Sequence, residues 1–489
     1  MKFSVFTSIL LFLVSGFLFG SDSRPNVLFI VCDDLNTHVS TSDYPYISTP
    51  AFDELAEHGM TFKRAYCQYP VCGPSRASFL SGLYPESSGV TNNTTDIRNE
   101  RPGTVTMPQA FREQGYWTAA TGKIFHNSKI DPGDAVWDER SFFQNEEMPL
   151  EKEARKVFEA KHGSTTDGKN WKLWKEFLLG YAPQTMNQTP GWGPSGLTDD
   201  QHKDGKNAAQ AREWIENKSF DDKPFFMAVG IHKPHVPFLA PDKYFEMYPK
   251  DYLKYIKPPS NFWDTVPESS ISKRYEGFGF ELSVENDDLR REYMQAYHAC
   301  ISFIDAQIGS IFEDLKKNGL WDNTIVVLTS DHGYQLGEHF QWGKVTLFEV
   351  CNRVPLLIRV PGQTQSGSAS QGLVELVDLF PTLAELCGVK TPKDIQGMSL
   401  VSMLKDSKSS GKEAVYTVVT RGKNLGKAIR TDRWRYARWP DGEELYDLEN
   451  DIEEHTNLVY SNEREKVLGS MRNKMNLAEK NAISSLRRN

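Results

Sequence analysis

The sequence predicts an α/β protein built around a doubly wound parallel sheet. Apolar runs at residues 26–32, 224–230 and 324–329 have the length and continuity of strands buried on both faces. Helical patterns at about 49–58 and 287–317 alternate with these runs. Because ligands bind beyond the carboxyl ends of such strands, the residues that follow each run are the first place to look for a site.

The first 20 residues have the pattern of a secretory signal peptide. Lys2 precedes an apolar run from Ile9 to Phe19, and small polar residues follow. The run is short for a membrane span, so we expect export over the alternative, a single membrane anchor. The expected location is periplasmic or secreted, or lysosomal or extracellular in a eukaryote, without stable membrane insertion.

The rest of the chain divides into a large and a small predicted domain. Further strands are expected at 116–120 and 354–360, and the Gly-, Pro- and Trp-rich stretch 140–210 is interpreted as an irregular insertion. After about residue 407, short strand patterns precede a helix from about 462. We therefore predict an α/β domain over residues 24–407 and an α+β domain with an antiparallel sheet over 408–489.

Charge and cysteine usage exclude some functions. The net charge is −9, so nothing suggests a nucleic-acid binder held by a basic surface. An anionic ligand would need a local cluster of cations instead. The six cysteines are widely spaced and form no C-x-x-C pair, which argues against a zinc or redox site.

Acidic and imidazole side chains follow the two strongest strands. Asp33 and Asp34 end the first run, while Asp331 and His332 follow the run at 324–329. Converging carboxylates repel one another unless a cation joins them. Oxygen ligands suit calcium or magnesium, so these four residues predict a divalent metal site. The alternative is that each aspartate only caps a turn.

The segment 71–82 combines a cysteine with signals for a short helix. Pro74 suits the first helical position, Gly73 the N-cap and Gly82 the residue after the last turn. Cys72 then lies just ahead of a helix N-terminus, where an anion is favoured. Arg76 adds a positive charge. The alternative is an unreactive cysteine beside an ordinary helix.

Lysines and histidines recur in three short segments. Lys123 and His126 follow one predicted strand, His232 to His235 follow another, and Lys344 lies shortly after the acidic pair at 331–332. Such donors could balance a compact anion, and a histidine can move protons near neutral pH. Taken singly, each could equally be a surface cation or a structural histidine.

Five motifs together resemble the formylglycine-dependent sulfatases of the alkaline phosphatase superfamily. In order, they are Asp-Asp-Leu at 33, Cys-Gly-Pro-Ser-Arg at 72, Gly-Lys-x-Phe-His at 122, His-Lys-Pro-His-x-Pro-Phe at 232 and Ser-Asp-His-Gly-x-x-Leu-Gly-Glu-His at 330. The resemblance covers about residues 25–400, is nearest to the iduronate-2-sulfatase branch, and continues at 429–433 and 444–447. It implies a large mixed, mostly parallel sheet flanked by helices.

The resemblance also implies a cofactor, a nucleophile and roles for particular residues. One calcium ion would be held by Asp33, Asp34, Asp331 and His332, with residue 72 completing the shell. Cys72 would be oxidised to formylglycine by a formylglycine-generating or an anaerobic sulfatase-maturing enzyme, and its hydrate would attack sulfur. Arg76 and Lys123 would stabilise the hydrate, and Lys344 would hold sulfate oxygens. His126 would take a proton from residue 72, and His235 would protonate the leaving alcohol.

The implied activity is hydrolysis of a sulfate ester on a sugar or oligosaccharide, with a 2-O-sulfated uronate as a candidate. Two alternatives stay open at this point. One is a phosphonate or phosphate-ester hydrolase of the same superfamily. The other is a non-catalytic sulfoglycan-binding protein that keeps Cys72 as a thiol.

Overall fold

The computed structural model describes residues 24–181, 191–273 and 286–484. The predicted signal peptide, residues 1–20, lies outside the described residues. Among the residues that are described, we find no helix with both the length and the apolar character needed to cross a membrane.

The strands are numbered in chain order. They are β1 (Asn26–Asp33), β2 (Met60–Tyr66), β3 (Trp117–Gly122), β4 (Glu139–Ser141), β5 (Trp192–Pro194), β6 (Phe225–Pro234), β7 (Phe238–Ala240), β8 (Thr324–Ser330), β9 (Gln335–Leu336), β10 (Trp342–Gly343), β11 (Arg353–Val354), β12 (Leu356–Arg359), β13 (Ser368–Glu375), β14 (Val415–Arg421), β15 (Asn424–Arg430), β16 (Trp434–Trp439) and β17 (Gly442–Asp447).

The helices are numbered in the same way. They are α1 (Pro50–His58), α2 (Cys72–Ser81), α3 (Pro85–Ser88), α4 (Ile97–Glu100), α5 (Met107–Glu113), α6 (Pro149–His162), α7 (Trp171–Tyr181), α8 (Lys203–Glu216), α9 (Asp242–Phe245), α10 (Asp287–Lys317), α11 (Glu349–Asn352), α12 (Leu379–Cys387), α13 (Val401–Lys405) and α14 (Glu465–Ala482).

The main sheet is mixed and mostly parallel, as expected. Its order is β11-β2-β12-β8-β1-β6-β3-β4, and β13 also pairs with β2. β1 runs parallel to both β6 and β8 at the centre. β12 is antiparallel to its neighbours β8 and β2. The carboxyl ends of β1, β6 and β8 therefore meet at one edge.

β1 suits the centre of the sheet because its residues either are apolar or have hydrogen-bond partners for their polar groups within the core. All eight positions are buried. Leu28 and Ile30 belong to the apolar core that contains α8 and α10. Val27 and Phe29 belong to the core on the other face, with α2, α5 and α12. Burial on both faces is the property that the continuous apolar run predicted.

The long helix α10 has the bounds that the sequence predicts, because both of its ends carry clear signals. The Asn286 side chain accepts a hydrogen bond from the Leu289 backbone N–H at 3.0 Å, which caps the first turn. Acidic residues occupy the first turn and lysines the last, which suits the helix dipole.

The C-terminal part contains the antiparallel sheet β14-β15-β16-β17, with α14 packed against it. The short strand patterns expected after residue 407 correspond to β14, β15 and β16, and β17 was not predicted. This sheet shares an apolar core with Tyr69 and Val71, which lie just before Cys72, and with Leu347. It therefore supports the segment that carries the cysteine. The domain boundary at 407/408 stays a prediction.

Two local expectations were wrong. The stretch 140–210 contains α6, α7 and the start of α8, so much of its described part is helical and not irregular. The predicted strand at 354–360 is divided into β11 and β12 at Pro355, which has no N–H to contribute to a ladder.

Candidate active site

The acidic pairs that follow β1 and β8 meet, although 297 residues separate them along the chain. The backbone N–H of Asp34 donates to Asp331 Oδ1 at 3.1 Å. Asp34 itself has a φ of +67°, a left-handed conformation that is uncommon for a residue other than glycine. Such conformations persist where surrounding contacts over-determine them, often at functional sites. Asp33, Asp34, Asp331 and His332 are all fully buried.

Cys72 lies in the first turn of α2, facing these residues. Its sulfur is 3.1 Å from Lys344 Nζ, 3.4 Å from His332 Nε2 and 3.9 Å from Asp34 Oδ1. The side chain is almost completely buried. Its position within α2 places it among the unpaired N–H groups and the positive dipole of a helix N-terminus.

The start of α2 differs from the sequence prediction. The helix begins at Cys72 with Val71 as its N-cap, two residues earlier than the predicted start at Pro74. The predicted cap, Gly73, lies inside the first turn, and its N–H donates to Asn93 Oδ1 at 2.8 Å. Pro74 is tolerated there because first-turn N–H groups have no partner within the helix. Gly82 ends the helix with a φ of +69°, as predicted.

Two buried cations tie the acidic groups together. Arg76 Nε donates to Asp331 Oδ2 at 2.9 Å, and its Nη2 lies 3.4 Å from Asp33 Oδ1. Lys123 Nζ is 2.5 Å from Asp33 Oδ2. The backbone carbonyl of Lys123 also accepts from Arg76. The ends of α2 and β3 are thereby fixed to the ends of β1 and β8.

Lys344 reaches the site on a strained loop. Its ammonium group contacts Asp34 Oδ1 as well as the Cys72 sulfur. The next residue, Val345, has a φ of +74°, which is a strong outlier for a β-branched side chain. Arg421, at the end of β14, donates to the Val345 carbonyl. The C-terminal sheet thus holds this loop in the conformation that presents Lys344.

The surroundings favour negative charge at position 72. Burial by itself would raise the pKa of the Cys72 thiol. The charges of Lys123, Lys344 and His332 outweigh burial and bring that pKa well below its ordinary value. A hydrogen bond from His126 acts in the same direction. An anionic oxygen at residue 72, or an anion bound against it, would be stabilised by the same groups.

The acidic cluster fits a divalent cation. One donor atom each from Asp33, Cys72, Asp331 and His332 lie within 4.8 Å of one another. Calcium–oxygen bonds are about 2.3–2.6 Å, so donors on opposite sides of one ion would be about 5 Å apart. In addition, Asp34 Oδ2 is buried and accepts no hydrogen bond from any described residue. A buried carboxylate oxygen without a partner is costly unless a cation satisfies it.

The ionisation of Asp331 and His332 fits the same interpretation. Burial raises the pKa of Asp331 to about 7, against the lowering effect of His332 and Arg76. Burial lowers the pKa of His332, but the charge of Asp331 outweighs it and raises that pKa to about 9. Both shifts show that the buried cluster favours positive charge beside its carboxylates.

His235 approaches the cluster from the end of β6. Its Nδ1 donates to the Val236 carbonyl at 2.8 Å, since that oxygen can only accept. The other nitrogen, Nε2, lies 3.9 Å from Asp34 Oδ2. This hydrogen bond sets the tautomer of the neutral ring, and it leaves Nε2 without its own proton and facing the site.

The sequence analysis assigned no role to two residues that the structure places at the site. His232 Nδ1 is 3.9 Å from Asp33 Oδ2, and the rings of His232 and His235 are 5.0 Å apart. Asp204, in α8, accepts from the backbone N–H groups of His232 and Lys233 at 2.7 and 2.9 Å. His232 is the first residue of the His-Lys-Pro-His-x-Pro-Phe motif, but the sequence analysis gave it no role of its own. Asp204 had no sequence signal, because it belongs to the stretch that was interpreted as irregular.

The chain is similar in sequence and fold to known proteins. The sequence model of the sulfatase family matches residues 25–389, and that of the N-sulphoglucosamine sulphohydrolase C-terminal region matches residues 337–481. A sulfatase of Formosa agariphila is 33% identical over 448 residues, covering 89% of this chain and 83% of that protein. Human iduronate 2-sulfatase is 32% identical over 405 residues, covering 75% and 70%. Among solved structures, the phosphonate monoester hydrolase of Agrobacterium radiobacter has a similar fold, with a TM-score of 0.73, 22% identity and coverage of 94% and 96%.

Proposed function

This chain belongs to the sulfatase family, and we propose that it removes sulfate from a sulfated carbohydrate by means of a formylglycine made from Cys72. One observation carries the proposal: the buried Cys72 side chain lies between Lys344 and His332 at the N-terminus of α2. That position favours an anion and holds a nucleophile against it.

Conversion of Cys72 would precede folding. The side chain is 1% exposed in the folded protein, so a maturation enzyme could not reach it there. The partner that this requires is a formylglycine-generating or an anaerobic sulfatase-maturing enzyme acting on the extended segment around residue 72. With the proposed signal peptide, the order would be oxidation, export and folding.

Calcium is the ion we propose for the acidic cluster. Asp33, Asp34, Asp331 and His332 would hold it, together with residue 72. When bound, the ion would neutralise a sulfate oxygen and polarise the bond that breaks. The three carboxylates supply the hard oxygen donors that calcium prefers, and His332 would add one nitrogen ligand.

The remaining side chains have separate roles in this proposal. The hydrated aldehyde at residue 72 supplies the oxygen nucleophile. Arg76 and Lys123 fix its position, because both are anchored on Asp33. Lys344 binds sulfate oxygens alongside Lys123. His126, which hydrogen-bonds residue 72, accepts the proton that its hydroxyl releases.

His235 would protonate the alcohol that leaves. Its Nε2 faces the acidic cluster, and its Nδ1 is held by the Val236 carbonyl. General-acid catalysis matters most when the leaving group is a poor one, such as a sugar hydroxyl.

The proposed substrate is a sulfated sugar, with a 2-O-sulfated uronate as the specific candidate. Its support is the likeness to iduronate 2-sulfatases, at 31–32% identity over 75% of this chain.

A direct test compares ester classes at equal concentration. The protein, co-expressed with a maturation enzyme and supplied with calcium, should hydrolyse an aryl sulfate and a 2-O-sulfated uronide. It should hydrolyse the matching aryl phosphate and phosphonate far more slowly. A preference for phosphate or phosphonate esters would overturn the proposal in favour of the other hydrolases of the superfamily.

His235→Gln should separate substrates by the quality of their leaving group. Glutamine can still donate to the Val236 carbonyl but cannot transfer a proton. For a sugar sulfate, kcat/KM should fall by about 10²–10⁴-fold. For an aryl sulfate with an acidic phenol, the loss should be about tenfold or less. The exposed His58 provides a control, since His58→Gln should change neither rate. An equal loss on both esters in His235→Gln would contradict the assigned role.

A further inference from the structure

A cleft of about 320 Å³ borders the candidate active site. One wall is formed by His232 and Lys233 at the end of β6 and by Lys203 at the start of α8. The rest of the lining comes mainly from residues 144–148 and from α6 and α7. These helices belong to the stretch that the sequence analysis interpreted as irregular.

The cleft lies beside His235, the side chain that would protonate the leaving alcohol. His232 lines the cleft, and its ring is 5.0 Å from that of His235. An alcohol oxygen in contact with His235 therefore has its sugar ring on this side of the site. The cleft is a natural place for substituents of that ring.

The acidic side chains of the cleft are already engaged. Glu147 Oε1 pairs with Arg155 Nε at 2.6 Å. Glu151 Oε2 accepts from the Met148 backbone N–H at 3.0 Å. Glu146 accepts from Gln201 Nε2 at 3.1 Å and lies 3.7 Å from Lys206 Nζ. Each of these three carboxylates therefore has a partner other than Lys203.

Two lysines line the cleft, Lys203 and Lys233, and the ammonium group of Lys233 is engaged by the His235 and Pro237 carbonyls. Within the described residues, no carboxylate oxygen lies within 4.0 Å of the Lys203 ammonium group, whereas Arg155 and Lys206 each have one. The adjacent carboxylate, Asp204, is occupied by the backbone N–H groups of residues 232 and 233. Lys203 is thus a cation on the cleft wall that makes no ion pair within the described part of the chain.

The position of Lys203 is also unfavourable for a cation. It is the first residue of α8, where the helix dipole is positive and disfavours a further positive charge. Burial and the charge of Lys233 lower the pKa of Lys203 to about 8, although Asp204 acts in the opposite direction. An anion in the cleft would relieve this unfavourable environment.

We propose that Lys203 is the anchor of a subsite for a second anionic group, a carboxylate or a sulfate, on the sugar whose sulfate ester is cleaved. This inference rests on the proposed function and narrows it. A sugar that carries only the scissile sulfate would leave Lys203 without a partner. A uronate, or a sugar with two sulfates, would satisfy it by a charge-assisted hydrogen bond.

The test uses three probes that share one scissile group: methyl glucoside 2-sulfate, methyl glucuronide 2-sulfate and methyl glucoside 2,6-disulfate. Wild type should prefer one or both of the doubly anionic probes in kcat/KM. Lys203→Met keeps most of the side-chain volume and removes the charge. It should lower kcat/KM by about 10- to 100-fold for the preferred probe and leave the monosulfate nearly unchanged. The probe that loses most identifies the second group as carboxylate or sulfate.

Arg212→Met is the matched control, since it removes a charge from the same helix, but one that pairs with Asp314 outside the cleft. It should leave kcat/KM unchanged for all three probes. Equal losses on every probe in Lys203→Met, or no loss at all, would overturn the proposed subsite.

A binding measurement that needs no turnover gives a second readout. Calorimetry measures the affinity of the same probes for Cys72→Ala, and adding Lys203→Met to that variant must weaken the binding of the doubly anionic probes only. Failure of the proposed function is distinct, because then wild type would hydrolyse none of the three, the monosulfate included.

Discussion

Cys72→Ala is expected to abolish sulfatase turnover, with a loss on the order of 10⁴-fold or more, while the protein still folds. Alanine cannot be oxidised to an aldehyde and offers no nucleophile. The cations around position 72 would remain paired with Asp33, Asp34 and Asp331. The measurements are kcat/KM on an aryl sulfate and the melting temperature. Full activity in this variant would contradict the mechanism.

Two companion variants make the result specific. Cys72→Ser keeps an oxygen that can attack sulfur, but a serine sulfate cannot expel sulfate as a hydrated aldehyde can. It should therefore lose turnover and gain the mass of one sulfo group on the peptide that carries residue 72. Cys387, a buried cysteine in α12, is the control, since Cys387→Ala should keep full activity.

Removal of calcium is expected to have the second-largest effect. Dialysis against a chelator should abolish activity and lower the melting temperature, and added calcium should restore both. A ligand present at 100 to 1,000 times its Kd stabilises the folded state by about 3–4 kcal/mol. Without the ion, the carboxylates at the ends of β1 and β8 lose the charge that offsets their mutual repulsion.

Asp34→Asn should remove most of the calcium-dependent shift in melting temperature, because Asp34 supplies the buried oxygen that accepts no hydrogen bond from any described residue. Asp305→Asn is the matched control. Asp305 is a buried carboxylate that caps α1 by accepting from Ala51 and Phe52, so its loss should lower stability but preserve the response to calcium. A melting temperature that changes with neither chelator nor added calcium would contradict the proposed metal site.

The parts of the fold that the sequence predicted are those with strong local signals. β1 and β8 are continuous apolar runs, and α10 has capping and charge signals at its ends. Their carboxyl ends carry the acidic pairs, so the convergence of these side chains could be predicted before the fold was known.

The parts that were missed depend on tertiary contacts. β2 contains Lys63 and Arg64, which interrupt its apolar pattern, and β13 contains a register shift beside Gly372. α8 includes Gly205 and Asn207, both poor helix formers. It folds as a helix because it packs against α10 and β6. Lys203 and Asp204 belong to this helix, so the cleft they form was beyond sequence reasoning.

The most direct test of the central claim is the mass of the peptide that contains residue 72, isolated from active protein. We predict that cysteine is replaced there by formylglycine, with sulfur lost and an aldehyde that reacts with a hydrazine probe. An intact thiol at residue 72 in protein that cleaves sulfate esters at full rate would contradict the account.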